Sequence, residues 1–237
     1  MIGDAFSYIF DGANWSGSDG MLVQMGQQLL LTVTALLLAV VLGLPVALFL
    51  GHLGRGGFLA INISNVGRAV PTFAVLILLS VGPLGTGILG PYGRAGLATL
   101  VALTLFALPP IITNSYVGMR EVDKDTVEAA KGMGMKGTQL FFSVELPLAM
   151  ALILTGLRLA VVQVWATATI AALVAGPGLG NVITAGFYRS DYGKGLAGAI
   201  VVAAVAIVFE GLAALVERFA NPLVRVQRRQ AATVAVA

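Results

Sequence analysis

Five long stretches of this chain carry no charged side chain: residues 20–54, 69–93, 95–119, 159–188 and 195–209. A hydrocarbon layer about 30 Å thick is crossed by roughly 20 apolar residues at about 1.5 Å of helix per residue. Lipid offers the backbone no hydrogen bonds, so segments of this kind must satisfy their own N–H and C=O groups as helices. The predicted spans are about 22–50, 61–83, 96–118, 147–174 and 196–216. Composition agrees: 58% of the 237 residues are hydrophobic and 11% charged, against about 25% charged in an average soluble chain. The expected fold class is all-α, a polytopic helical membrane protein of about five transmembrane helices.

The basic residues are unevenly placed. Five spans put the termini on opposite sides of the membrane. Arg55 (loop 51–57), Arg120, Lys124, Lys131 and Lys136 (loop 119–146) and Arg218, Arg225, Arg228 and Arg229 (tail) fall on one side; Arg94, Arg189 and Lys194 fall on the other. The positive-inside rule then places the N-terminus outside and the 119–146 loop and C-terminus in the cytosol. This divides the chain into an external segment 1–20, a transmembrane domain 21–218 and a cytoplasmic tail 219–237. The first 20 residues hold Asp4, Asp11 and Asp19 but no Lys or Arg, so they lack the basic start of a cleavable leader. A short basic tail without interleaved aromatics does not make a nucleic-acid groove, and no nucleic-acid partner is expected. There is no Cys, hence no disulfide or thiolate metal site. The single His, His52, ends the first span and reads as an interfacial side chain. One His builds neither a zinc site nor a triad, so no metal and no catalytic residues are expected.

The spans carry the marks of a bundle with broken helices. Pro45, Pro71, Pro109, Pro110 and Pro147 sit in or beside apolar runs, where proline removes a helical hydrogen bond. Small residues such as Ala166, Ala168, Ala171, Ala172, Ala203 and Ala204 allow close helix packing. Two glycine clusters, Gly82–Gly87 and Gly176–Gly180, follow spans on the outer side. They read as helix-ending turns, or else as a re-entrant element at the mouth of a pathway.

Between the third and fourth predicted spans lies a polar island. Asp123 suits an N-cap, and Asp125 and Glu128 lie at the positive end of the helix dipole. Residues 124–133 are predicted to form about three turns, with Val127, Ala130 and Met133 as a narrow apolar stripe. Ala129 and Ala130 keep the helix thin, and Gly132 and Gly134 stop it. Thr138 is predicted to cap a second short helix that ends at Pro147. Gly132-Met-Gly-Met-Lys-Gly-Thr138 is not a phosphate-binding loop, because its Lys precedes the second Gly.

The spacing Glu128-Ala129-Ala130, three residues, Gly134, nine residues, Val144-Glu145-Leu146-Pro147 resembles the signature loop of bacterial ABC importer permeases. Ala107-Leu-Pro-Pro-Ile-Ile-Thr-Asn-Ser-Tyr-Val-Gly118, Gly156-Leu-Arg-Leu-Ala160, Thr167-Ala-Thr-Ile-Ala-Ala172, Gly176-Pro-Gly-Leu-Gly-Asn181 and Arg68-Ala-Val-Pro-Thr72 are similar to segments of the osmoprotectant branch, which imports glycine betaine, carnitine, choline and relatives. The likeness covers about residues 60–185. Lys124 stands where many members have proline, and Pro177 replaces a more usual small residue. The resemblance implies a bacterial inner-membrane permease paired with a second copy (homodimer or heterodimer), a dimer of cytosolic ABC ATPases and an extracytoplasmic solute-binding protein. ATP and Mg would be held by the ATPase, with no cofactor on this chain. Glu128, Ala129, Ala130, Gly132, Gly134, Leu146 and Pro147 would be ATPase-coupling residues acting by contact. A permease for another small solute, of methionine or phosphonate type, shares this loop. An ion-coupled secondary transporter would need more intramembrane carboxylates, and an intramembrane enzyme would need a catalytic constellation that is absent.

Three ionisable residues lie inside predicted spans: Arg68, Arg158 and Glu210. At about 1.5 Å per residue all three fall in the cytoplasmic half, and Glu210 is expected to pair with one of the two arginines, Arg158 before Arg68. Asn114, Tyr116, Gln163 and Trp165 are the polar and aromatic candidates for lining a pathway. Trp165 could offer its face to a quaternary ammonium.

Overall fold

The computed structural model describes residues 1–86, 92 and 95–220, apart from the side chains of Leu59, Ile63, Ser64, Asn65 and Arg68. Arg94, Gly87 and the tail basic residues Arg225, Arg228 and Arg229 lie outside the described residues. All regular structure among the described residues is helical. The elements are α1 (Ile2–Phe10), a 3-10 turn (Gly12–Trp15), α2 (Met21–Leu53), α3 (Gly57–Ala69), α4 (Thr72–Val81), α5 (Gly96–Arg120), α6 (Lys124–Gly132), α7 (Gly137–Leu140), a π-helical segment (Phe141–Glu145), α8 (Leu146–Ala168), a 3-10 segment (Thr169–Val174), α9 (Gly180–Tyr188) and α10 (Tyr192–Ala220). By length and composition, four stretches among the described residues can cross a membrane: Met21–Leu53, Gly96–Arg120, Gly137–Val174 and Tyr192–Ala220.

The expected second span, 61–83, is not one helix. It breaks between Ala69 and Thr72, and α4 has only 10 residues. Pro71 has ψ 118 and caps α4 from an extended conformation. Proline pushes the residue before it out of the helical region and donates no hydrogen bond. A helix of that length rises about 15 Å, half of a hydrocarbon layer. Pro45, Pro109 and Pro110, by contrast, are accommodated inside α2 and α5.

The fourth span begins earlier than its apolar run. Helix runs from Gly137 into α8, and Pro147 does not end it. Proline at 147 has no N–H for the carbonyl of Ser143. The chain widens there instead, with Leu146 N–H bonded to the Phe141 carbonyl five residues back, a π turn. The short helix at 137 is capped by Gln139, whose side-chain oxygen accepts from the Lys136 N–H at 3.0 Å, and not by Thr138, which lies inside it.

The described chain forms two compact units. One comprises the described residues of 1–39, 67–107 and 161–209. Its core holds Met21, Trp165, Leu179, Val182 and Val201, and Tyr8, Ile9 and Trp15 of the N-terminal segment pack onto it. Trp15 Nε1 donates to the Ile9 carbonyl at 2.7 Å, so the first 20 residues are folded onto this unit. The other comprises the described residues of 40–66, 108–160 and 210–220. Here α5 and α8 meet closely at Gly156, where a Cβ would lie 2.8 Å from the Pro110 carbonyl oxygen. Only glycine permits that approach.

Candidate functional site

Helix α6 forms because its ends are chemically closed. Asp123 Oδ1 accepts from the N–H groups of Asp125 (2.7 Å) and Thr126 (3.0 Å), satisfying donors that the first turn would leave open. At the other end Gly134 takes φ +82. Its N–H bonds the Lys131 carbonyl at 2.9 Å, and Met135 N–H reaches back to Ala130 at 3.2 Å. That pair of bonds with a left-handed glycine is the Schellman stop.

The two faces of α6 differ sharply. Ala130 is buried and Val127 packs on a cluster of Met119, Val122, Ala149 and Ile153. Met133, expected to continue this stripe, is 74% exposed. Glu128, Ala129, Gly132 and Gly134 are exposed. A Cβ at Gly132 or Gly134 would meet nothing within 4 Å. Gly134 is required by its backbone, whereas nothing among the described residues requires Gly132, which costs about 1 kcal/mol of helix propensity relative to Ala. The outward face is a thin ridge of Glu128, Ala129 and Gly132. Ala130, expected on the contact surface, is instead buried. Leu146 and Pro147 are half-buried where the π turn enters α8.

His52 is not a free interfacial side chain. Its Nδ1 contacts Oε2 of Glu145, a residue only 7% exposed. The Phe141 ring meets the imidazole edge-on, with centroids 5.5 Å apart. Beside the pair lies an open apolar cavity of about 650 Å³, walled by Leu44, Leu48 and Phe49 of α2 and by Phe141 and Phe142. Glu145 was not singled out in the sequence. Its charge inside Val-Glu-Leu-Pro, two residues before a helix proline, was the available signal.

Arg158 and Glu210 form the expected pair: Arg158 Nε donates to Glu210 Oε1 at 2.8 Å. A third member was missed. Arg158 Nη1 donates to Glu217 Oε2 at 3.1 Å. Glu217 lies seven residues after Glu210, hence on the same face of α10. One guanidinium thus bridges two carboxylates on a neighbouring helix. The side chain of Arg68 is outside the described residues.

The pathway candidates are dispersed. Asn114 donates back to the Pro110 carbonyl at 2.8 Å and packs against Gly156. Tyr116 is 7% exposed, among Ala47 and Ala60. Gln163 is half-buried on α8. Trp165, expected to offer an aromatic face, is fully buried, donates from Nε1 to the Val202 carbonyl at 2.9 Å and meets Phe209 edge-on. Its role in this unit is packing.

Of the glycine clusters, Gly82–Thr86 is a turn closed by Gly85 N–H to the Gly82 carbonyl at 3.0 Å. Residues 176–179 are buried irregular backbone leading into α9. Two glutamines of α2, four apart and so on one face, hold this segment. Gln28 donates to the Trp165 carbonyl (3.1 Å) and accepts from Leu179 N–H (2.9 Å), while Gln24 accepts from Gly178 N–H (3.3 Å). Asn181 closes the loop by donating to the carbonyls of Gly176 and Gly178. Buried backbone needs such partners. Gln28→Leu orphans one donor and one acceptor, so it is expected to lower stability by about 1–3 kcal/mol. Thermal unfolding of the detergent-purified chain measures this, and an unchanged midpoint would refute the role.

The family model described as binding-protein-dependent transport system inner membrane component matches residues 39–221. The carnitine transport permease protein OpuCB of Listeria monocytogenes is 35% identical over 80% of this chain and 83% of its own length. The glycine betaine/carnitine/choline transport system permease protein OpuCB of Bacillus subtilis is 30% identical over 85% and 89%. A chain of the MetNI methionine ABC transporter in an inward-facing conformation superposes with a TM-score of 0.69, at 20% identity, over 84% of this chain and 96% of that one; this likeness concerns the fold. A capped polar helix between membrane-spanning helices, a family match over most of the chain and relatives of this identity lead to one conclusion: the chain is a multi-pass membrane protein belonging to the family of binding-protein-dependent transport system inner membrane components.

Proposed function

We propose that this chain is the permease subunit of an ATP-driven importer of compatible solutes such as glycine betaine, carnitine or choline. One observation carries the reading: the exposed ridge of α6, Glu128-Ala129-Gly132 closed by the left-handed Gly134, at the spacing of the importer loop. The names borne by relatives at 30–35% identity, carnitine and glycine betaine/carnitine/choline permeases, support the cargo. In this reading α6 sits in a groove of a cytosolic ATPase. Glu128, Ala129, Gly132 and Gly134 make the contact, Ala130 seats the helix, and Leu146 and Pro147 join the loop to α8. ATP and Mg²⁺ belong to the ATPase dimer. A second permease copy, identical or not, completes the membrane unit, and an external solute-binding protein delivers cargo and sets selectivity. The N-terminus and residues 1–20 lie outside, 21–218 form the permease domain, and the 119–146 loop and tail 219–237 lie in the cytosol. Closure of the ATPases biases a two-state equilibrium of the spans, and only a difference in contact energy between the two states can shift it.

Purification of the chain from its native membranes should bring an ATPase with it. In liposomes with the binding protein supplied, glycine betaine, carnitine or choline should stimulate ATP hydrolysis, and methionine should not. A preparation without any ATPase overturns the proposal; stimulation by methionine alone overturns the cargo.

A further inference from the structure

We propose that the His52–Glu145 pair makes α2 a third arm of the α6 loop, so that movement of α6 reaches α2 as well as α5 and α8, the two helices the loop joins. The inference rests on the function proposed above. Three observations in one compact unit converge on it.

Leu44, Leu48 and His52 recur every four residues and so share a face of α2. Leu44 and Leu48 pack on the same cluster of Met119, Val122, Ala149 and Ile153 that receives Val127 of α6. The end of α2 approaches the end of α5 closely at Gly51, where a Cβ would lie 2.5 Å from that of Met119. Apolar contacts of this kind hold two helices together but let them slide.

The polar pair supplies the fixed point. Glu145 is 9% exposed by its side chain, and His52 gives it its only side-chain hydrogen bond among the described residues. Imidazole Nδ1 can carry the proton that a carboxylate oxygen accepts. Glu145 closes the π turn that Pro147 imposes at the entry to α8. That turn lacks a normal helical bond and is the point where the loop's second arm can bend. His52 pins it to α2. Gly137 lies against the other imidazole nitrogen, where a Cβ would sit 3.9 Å from Nε2, and Phe141 closes one side. A buried carboxylate left without its donor would be costly, so removal of His52 lets the turn rearrange and α2 uncouple from α6.

The test measures solute imported per ATP hydrolysed, in liposomes holding the complete transporter, with radiolabelled glycine betaine, carnitine and choline as probes. His52→Leu should retain the ATPase and bind it as the natural chain does, yet consume about threefold more ATP per solute, within the range a single link in a coupling network commands. His52→Gln, which keeps an N–H donor, should stay close to the natural ratio. The chain has no cysteine, so His52→Cys with Glu145→Cys can be bridged by a reducible bis-thiosulfonate linker. Bridging should restore the ratio and reduction should abolish it again. If His52→Leu leaves the ratio unchanged while ATPase binding is intact, or if bridging restores nothing, the third arm is refuted and the proposed function stands. If the natural chain brings down no ATPase, both fall.

Discussion

A permease carrying Glu128→Lys with Gly134→Asp is expected to insert in the membrane at normal amounts and to lose its ATPase and all transport. Glu128 is exposed, and no hydrogen bond or salt bridge within the described chain involves its carboxylate. Surface substitutions of this kind change stability by about 0.5 kcal/mol or less. Gly134 holds φ +82 with open space where a side chain would go. A non-glycine residue there costs roughly 1–2 kcal/mol, and Asp is among the residues that tolerate this region best. The permease itself therefore survives. An interface does not, because reversing a charge in a docked groove costs several kcal/mol, about 2–5 when a buried partner is left unpaired. That corresponds to a loss of about thirtyfold or more in affinity. Co-purified ATPase and solute uptake should both fall to background, while the membrane-inserted amount of the chain stays level. Gly134→Ala separates the two causes, since it brings at least as much backbone strain as Asp and no charge, and should keep most ATPase. If the double variant retains its ATPase, the ridge of α6 is not the docking surface.

Much of this was legible because lipid makes sequence rules strict. Uncharged runs located α2, α5, the core of α8 and α10, and the Asp123 cap and Gly134 stop fixed α6 to within a residue. The errors arose where local chemistry overrode hydropathy. An apolar window cannot see that Pro71 divides residues 61–83 into two short helices. Nor can it see that helix continues through a π turn at Pro147, because the missing bond of a proline can be absorbed as well as broken. Contacts far apart in sequence were the least visible. His52 and Glu145 are 93 residues apart, and Gln28 and Leu179 are 151 apart. In both, a polar side chain in an apolar setting was the hint, but its partner could not be named from spacing. Trp165 shows the converse. An aromatic among polar neighbours suggested a binding face, and the fold spent that ring on packing. The Arg158–Glu210 pair was readable because only three ionisable groups lay inside predicted spans, and depth left Glu210 just two arginines to choose between, Arg158 and Arg68.

That pair gives the second large effect. Arg158→Glu would set three carboxylates, at 158, 210 and 217, in one place with no cation among them, in a helix pair read as crossing lipid. Charge at such depth is tolerated only when it is paired or watered, so the membrane-inserted amount of this variant should fall severalfold, and uptake with it. Depth predicts an order among the partners. Glu210 lies ten residues from the end of α10 and Glu217 three, about 15 Å and 4.5 Å along the axis. Glu217 can turn toward the headgroups, as long side chains near helix ends do, and Glu210 cannot reach as easily. Glu217→Gln should therefore be mild and Glu210→Gln severe. The exchange Arg158→Glu with Glu210→Arg rebuilds one ion pair while leaving Glu217 without its donor. It should recover most of the amount and part of the uptake that either reversal loses. Immunoblots of membranes beside uptake assays measure both. An exchange variant no better than the single reversals would mean that Arg158 and Glu210 act separately, each reaching its own interface, and that their contact contributes nothing to the bundle.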